Sequence, residues 1–316
     1  MTTAPHSATP HTSPTQASPA AASGTWQLGD RTVHRLGFGA MRLTGTGAFH
    51  NGTPRDRATS IAVVRRAVEL GVNHIDTAAF YFSALRSANE IVNSALAAFP
   101  ADEVLVATKV GPRRDRAGGW EGAARPEDLR GDVEQNLREL GRDHLDLVYL
   151  RNMRWDSLSD HFGALAELRE EGLIRDLGVS SVSAAQLHEA RAIAPVVAVQ
   201  NKFGLDDTES VEVMRACGDL GIAFVPFFAI AGARPGAEAA EATAAATEAG
   251  AEAEEDRAAK VAEAHGVSPQ QIRLAWTLAQ GPHVLAIPGT GDIAHLEANI
   301  AAGAIRLTPQ DLELLG

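Results

Sequence analysis

Val72-Asn-His-Ile-Asp-Thr-Ala-Ala-Phe-Tyr81 begins as a short apolar strand, Val72 to Ile75, that runs into a carboxylate, Asp76, with a phenol, Tyr81, following in the loop. A carboxylate at the end of a buried strand needs a partner, because an unpaired buried charge is costly. The next two strand patterns supply candidates: Val104-Leu-Val-Ala-Thr-Lys109 ends in one cation and Leu145-Asp-Leu-Val-Tyr-Leu-Arg151 in another. Successive βα units that each end their strand in a charge fit a parallel α/β barrel, where strand ends converge on the catalytic face. A cation beside Tyr81 favours the phenolate, so the expectation is a lowered pKa and a proton donor working near neutral pH. The alternative for Asp76 and Lys109 is a purely structural ion pair.

Strand and helix patterns alternate on both sides of this stretch. Trp26 to Val33 reads as a hairpin turning at Gly29-Asp30, and the first barrel strand is expected over Val33 to Phe38, leading into Gly39, Ala40 and Met41. Glycines at a strand end permit close backbone approach to a ligand; a plain strand-to-loop turn is the alternative. Ile61, Val64 and Val68 mark a helix stopped by Gly71, and another is expected over Ala88 to Phe99. Pro126 opens a helix whose stripe is Leu129, Val133, Leu137 and Leu140, ended by Gly141. Leu158, Phe162, Leu165 and Leu168 give the next helix. Further strands are expected at Ile174–Ser180, Val196–Gln200, Ala223–Phe227 and Val284–Ile287. Ser268-Pro-Gln-Gln271 is a helix start, with a serine cap, proline in the first turn and glutamine three residues on. The pattern specifies a single parallel (β/α)8 barrel, a TIM barrel of the α/β class with an N-terminal hairpin. An open doubly wound sheet is the runner-up, without a Gly-x-Gly-x-x-Gly after an early strand to support it.

Residues 1–24 read as a disordered tail, 25–316 as the barrel, and 233–256 as an Ala- and Glu-rich insertion, mobile or helical. The net charge of −12 over 316 residues argues against nucleic acid or an anionic membrane as the main partner. No apolar run reaches membrane-spanning length and the start lacks signal-peptide features, so a cytoplasmic protein is expected. The single cysteine, Cys217, lies in a helical apolar stripe and reads as core. No His/Cys/Asp cluster has metal-ligand spacing, so no metal is assigned. Tyr149 and His74 share faces with Arg151 and Asp76 by strand alternation; they read as interior filling and as a hydrogen-bonded core residue. His50 reads as a solvent-exposed loop residue.

Taken in order along the chain, Leu36-Gly-Phe-Gly-Ala-Met41, Gly71-Val-Asn-His-Ile-Asp-Thr-Ala78 with Tyr81, Ala107-Thr-Lys-Val110, Gly178-Val-Ser180, Val199-Gln-Asn201 and Ile287-Pro-Gly-Thr290 with His295 and Asn299 resemble the aldo-keto reductase family over roughly residues 26–312. The resemblance implies reduction of aldehydes and ketones with NADPH on an Asp, Tyr, Lys and His tetrad. Asp76, Tyr81 and Lys109 match three members; Arg151 stands where the family usually has His, similar to a branch that includes bacterial pyridoxal reductases. It also implies that Ser180 and Gln200 bind the nicotinamide carboxamide, with Ser181 in place of the usual Asn, and that Phe227 stacks on the nicotinamide ring. Phe228, Ala229, Ile230 and Gly232 would run along the pyrophosphate. Pro288, Gly289 and Thr290 would open the last helix toward a phosphate, with His295 nearby and Asn299 on the adenine. Many relatives place basic residues at the positions of Gly289 and His295, so NADP is expected and NAD stays open.

The function these readings imply is NADP-dependent reduction of a small carbonyl substrate, with pyridoxal the specific expectation, by a monomer or weak oligomer. The loops near Phe49, Trp120 and Trp155, with Met153, are expected to select the substrate. The alternative is a nucleotide-binding sensor or regulatory subunit on the same barrel, for which Arg151, Ser181 and the acidic insertion are the only support.

Overall fold

The computed structural model of the chain describes residues 18–45, 53–115, 119–230 and 248–316. A parallel sheet takes its strands in chain order: Phe38–Gly39, His74–Asp76, Leu105–Val110, Leu145–Arg151, Ile174–Ser180, Ala198–Gln200 and Ala223–Phe224. Its two edges are joined by the segment Val284 to Ala286, which bridges Phe224 on one side and Leu36 on the other. That segment is the eighth strand, and with it the barrel closes.

Local chemistry explains where the surrounding helices begin and end. Asp56, Ser87 and Ser183 cap the helices Arg57–Glu69, Ala88–Leu96 and Ala184–Ile193 by accepting from backbone amides of the first turn. Ser268 and Gln271 form the expected capping box on Pro269–Ala279. Gly141 and Gly221 end their helices at φ 63 and 68, the left-handed geometry that a side chain disfavours.

The hairpin Thr25–Leu28 and Arg31–His34 closes the bottom of the barrel. Leu28 and Val33 join the interior cluster of Leu105, Ala107, Leu147, Tyr149, Ala198, Ala223, Val225 and Leu285. Each large apolar side chain buried in this way contributes roughly 1.5–3 kcal/mol. Tyr149 fills the interior as expected, and Gly178 makes room for it: a Cβ there would lie 2.6 Å from the Tyr149 ring. Cys217 is buried and free, as its stripe implied.

Several expectations need correction. Val33 belongs to the hairpin rather than to the first barrel strand. The described order begins before Trp26, because Pro19–Ser23 is a 3-10 turn with Ala20 and Ser23 buried. Ala20 N donates to Leu70 O at 3.0 Å, Leu36 N donates to Ser23 Oγ at 3.1 Å, and a Cβ on Gly303 would touch Ser23 Cβ at 3.0 Å. Small residues suit this tight seam, whereas their composition alone reads as tail. Residues 1–17 lie outside the described residues, as does the expected insertion up to residue 247; Glu248–His265 is helical. Phe49, His50 and Gly232 also lie outside the described residues.

Candidate active site

The second and third strands bring Asp76 and Lys109 together at the upper end of the barrel. Lys109 Nζ donates to Asp76 Oδ1 at 2.6 Å and to Thr77 O at 2.9 Å, and both side chains are almost fully buried. Gln200, on the sixth strand, donates from Nε2 to the other carboxylate oxygen of Asp76 at 2.8 Å. Asp76 is thus held on both oxygens. The carrier strands are braced from the outer side. Thr77 Oγ1 donates to Asn89 at 2.8 Å, and Thr108 Oγ1 and Asn89 Nδ2 donate to Asn136 Oδ1 at 2.6 and 2.9 Å. The residues following Asp76 and preceding Lys109 are therefore tied to the same buried amides.

Tyr81 lies against this pair, with Lys109 Nζ 4.8 Å from its ring centroid. Burial raises the Tyr81 pKa above the ordinary tyrosine value, while Lys109 and Arg151 pull it down and Asp76 adds to the rise. This corrects the expected lowering: removing water from around the phenolate outweighs the cations. For Lys109 burial alone would lower the pKa, but Asp76 and Tyr81 together hold it above the ordinary value. At neutral pH the arrangement is a protonated phenol beside a charged ammonium, a proton donor with a cation ready to stabilise its conjugate base.

Arg151 ends the fourth strand in register with Ser180, which is in register with Gln200. Its Cζ stands 5.5 Å from the Phe227 ring centroid, over the ring. Arg151, Lys109, Gln200, Ser180 and Phe227 therefore share one mouth.

The described residues assigned to a dinucleotide lie in varied surroundings. Ser180 Oγ is fully buried without a hydrogen-bond partner, a state that costs roughly 1–3 kcal/mol unless a ligand group satisfies it. Ser181 and Phe228 hold φ at 59 and 63, strained values for side-chain-bearing residues and more so for a bulky one. Ala229 is buried, Phe228 is exposed, and Ile230 and Met41 are half-buried. Gly39 meets protein backbone: a Cβ there would lie 2.6 Å from Ile287 O, and one on Gly289 would lie 2.7 Å from Gly39 O. The glycines let the first and eighth strands touch, and Ala40 begins a buried turn beside them.

The last helix is also corrected. It runs Ile293–Ala301, so Pro288 to Thr290 precede it as loop. Asp292 caps it by accepting from His295 N at 2.9 Å, and Thr290 Oγ1 accepts from Asp292 N at 3.1 Å. A carboxylate already occupies the amide end that was expected to receive a phosphate. His295 is exposed, and Asn299 is buried on the inner side of the helix. Arg55 packs over the same loop, since a Cβ on Gly291 would strike its guanidinium group.

His74 is buried, as expected of a core residue, but neither ring nitrogen has a hydrogen-bond partner. A Cβ on Gly37 would fall 2.2 Å from its Nε2, so that glycine makes room for the imidazole. Trp155 stacks on His161 at 3.8 Å, whereas Trp120 is exposed at the rim. Sequence reasoning missed the Gln200 bond to Asp76, the brace through Asn89 and Asn136, and Arg114, which reaches the Tyr81 loop from beyond Lys109. Among the described residues no His/Cys/Asp/Glu group could hold a metal ion, and no helix is long and apolar enough to cross a membrane.

Comparison with known proteins shows the family and the fold. The model of the aldo/keto reductase family matches residues 35–315. Pyridoxine 4-dehydrogenase of Escherichia coli is 38% identical over 93% of this chain and 97% of its own length. An uncharacterized oxidoreductase of Schizosaccharomyces pombe is 35% identical over 92% of this chain and 88% of its own. Among solved structures, the glycerol dehydrogenase of Gluconobacter oxydans superimposes with a TM-score of 0.78 at 25% identity, covering 93% of this chain and 94% of that one.

Proposed function

Because the chain belongs to the aldo/keto reductase family, we propose that it is an NADP-dependent reductase of small aldehydes, with pyridoxal-like aldehydes as the substrate class. The observation that carries the proposal is the buried Lys109, fixed between Asp76 Oδ1 and Thr77 O against the ring of Tyr81. The cofactor supplies hydride to the carbonyl carbon when bound. Tyr81 gives its proton to the carbonyl oxygen, and Lys109 stabilises the phenolate left behind. Asp76 keeps Lys109 charged and aimed, and Gln200 holds Asp76. Arg151 stands where it stabilises negative charge on the substrate oxygen or holds an anionic ring substituent.

The residues fit the cofactor. The unpartnered hydroxyl of Ser180 and the amide oxygen of Gln200 suit a carboxamide, and Phe227 offers a ring face for stacking. Phe228, Ala229 and Ile230 would follow the pyrophosphate, with Gly39, Ala40 and Met41 on the opposite wall and Asn299 toward the adenine. The similarity to the pyridoxine 4-dehydrogenase of Escherichia coli favours pyridoxine or the aldehyde made by oxidising it. A monomeric or weakly associating cytoplasmic enzyme completes the reading, and light scattering of the purified protein checks the first part.

The deciding assay follows NADPH absorbance with pyridoxal and a panel of neutral aldehydes. Tyr81→Phe should lower turnover by roughly 10²–10⁴-fold, as loss of a positioned general acid does. Cofactor affinity, read by fluorescence titration, should stay unchanged. A near wild-type rate for Tyr81→Phe sinks the assignment of the proton donor, and cofactor binding without turnover of any aldehyde favours a sensor.

A further inference from the structure

We infer that Arg114 is a positioning residue for Tyr81, holding the proton donor by clamping the backbone on both sides of it. This rests on the reading of Tyr81 as the general acid. Arg114 Nη1 donates to Phe80 O at 2.7 Å and to Phe82 O at 3.2 Å, the carbonyls of the residues immediately before and after Tyr81. Its guanidinium group lies 4.3 Å from the Phe82 ring centroid and 5.5 Å from that of Trp120. Phe80 meets Tyr81 edge to face at 5.1 Å and Trp120 at 6.2 Å. The phenol is thus backed by an aromatic wall whose centre is one cation.

The placement follows from the chain path. The third strand, Leu105–Val110, carries Lys109 and continues through Gly111 into the short strand Pro112–Arg114, which pairs with Trp120–Ala123. One segment therefore delivers both the cation beside the phenol and the cation that fixes the phenol's loop. The loop's own backbone also holds it, through the antiparallel pairing of Phe82–Ser83 with Arg86–Ser87 and two flanking bonds. Tyr81 N donates to Ala78 O at 3.0 Å and Ala88 N donates to Tyr81 O at 2.9 Å. Neither engages the carbonyls of Phe80 or Phe82. A planar guanidinium suits the task, since it can bond two carbonyls while stacking on rings, which an ammonium does less well.

The test compares Arg114→Met and Arg114→Lys in the wild-type and Tyr81→Phe backgrounds. In the wild type, Arg114→Met should lower kcat by about 10–100-fold, the scale of a misplacement near 1 Å. Cofactor affinity should not move, and Arg114→Lys should restore part of the loss. In the Tyr81→Phe background Arg114→Met should cost little more. An equal fold-loss in both backgrounds overturns the inference.

A second readout is independent of turnover. The chain has 2 tyrosines, so Tyr149→Phe in every protein compared leaves Tyr81 as the first and sole phenol to ionise. The charged groups facing its phenol are Lys109, Asp76 and Arg151. If Arg114 holds the loop, Arg114→Met exposes the phenol and the first ionisation moves down. If Arg114 acted only as a nearby charge, its removal would move that ionisation up, and an upward or absent shift overturns the inference. Should Tyr81→Phe retain full activity, the proton-donor reading fails, and this ionisation alone judges the clamp.

Discussion

Arginine keeps its charge at every pH at which the protein is folded, whereas histidine loses it near neutrality. That difference makes Arg151 the informative residue of the mouth. Its guanidinium stands over Phe227 and its charge depresses the Tyr81 pKa against the pull of burial. Arg151→Met keeps the length and removes the charge. Turnover should fall by roughly 10–10³-fold, as when a charge-stabilising donor is lost. The Tyr81 pKa should rise, so the alkaline limb of the pH–rate profile, where the phenol loses its proton, should move to higher pH. Aldehydes bearing a phenolate should lose more than neutral ones. Equal reduction of both classes by Arg151→Met and the parent would make Arg151 structural and remove the main physical support for a pyridoxal-like substrate.

At the scale of elements, glycines report which contacts the barrel requires. A Cβ on Gly178 would lie 2.6 Å from the Tyr149 ring and 2.8 Å from Ala198 O, so Gly178→Ala should destabilise by about 1–3 kcal/mol. Gly131, inside the helix Leu129–Leu140, has open space where a Cβ would stand, with nothing within 4 Å. Gly131→Ala should stabilise by about 0.5–1 kcal/mol, because only backbone entropy is at stake. Urea unfolding of the two variants separates them, and equal effects would contradict the interior packing. The proposed placing of the cofactor phosphate near His295 makes the last helix the test of cofactor choice. Asp292 places a carboxylate at its start, and His295 is the basic residue of its first turn. Preference for NADPH over NADH should therefore be modest, and His295→Arg should widen it by about 10-fold, near 1.4 kcal/mol for one added phosphate contact. Paired titrations by cofactor fluorescence measure the ratio; a ratio that His295→Arg leaves unchanged would put the phosphate elsewhere.

Across the whole molecule, the features legible in sequence were those with local causes. The Ser268 capping box, the turn at Gly29-Asp30 and the charges closing the second, third and fourth strands all follow from neighbours a few residues apart. What was hidden depends on distant partners. Gln200 and Asp76 are 124 residues apart, and Ser23 is locked by Leu36 and Gly303. The Tyr81 pKa turned on burial, which no motif encodes. His74 is the same kind of case, and it couples the barrel interior to pH. Burial, with the charge of His34 adding to it against a weaker opposing pull from the His34 backbone, pushes its pKa from 6.5 to about 4. Between those values the unfolded chain binds a proton that the folded chain refuses, so stability falls as pH drops from 6.5 toward 4 and this loss levels off below. The full contribution is on the order of 3 kcal/mol, since each tenfold weakening of proton binding is worth about 1.4 kcal/mol. His74→Leu removes the titration and its unpaired ring nitrogens while filling the space beside Gly37. The unfolding free energy of His74→Leu should therefore change less between pH 7 and pH 4.5 than that of the parent. Parallel pH dependence in the two proteins would mean that His74 takes up its proton in the folded barrel, through a partner that its buried ring does not show.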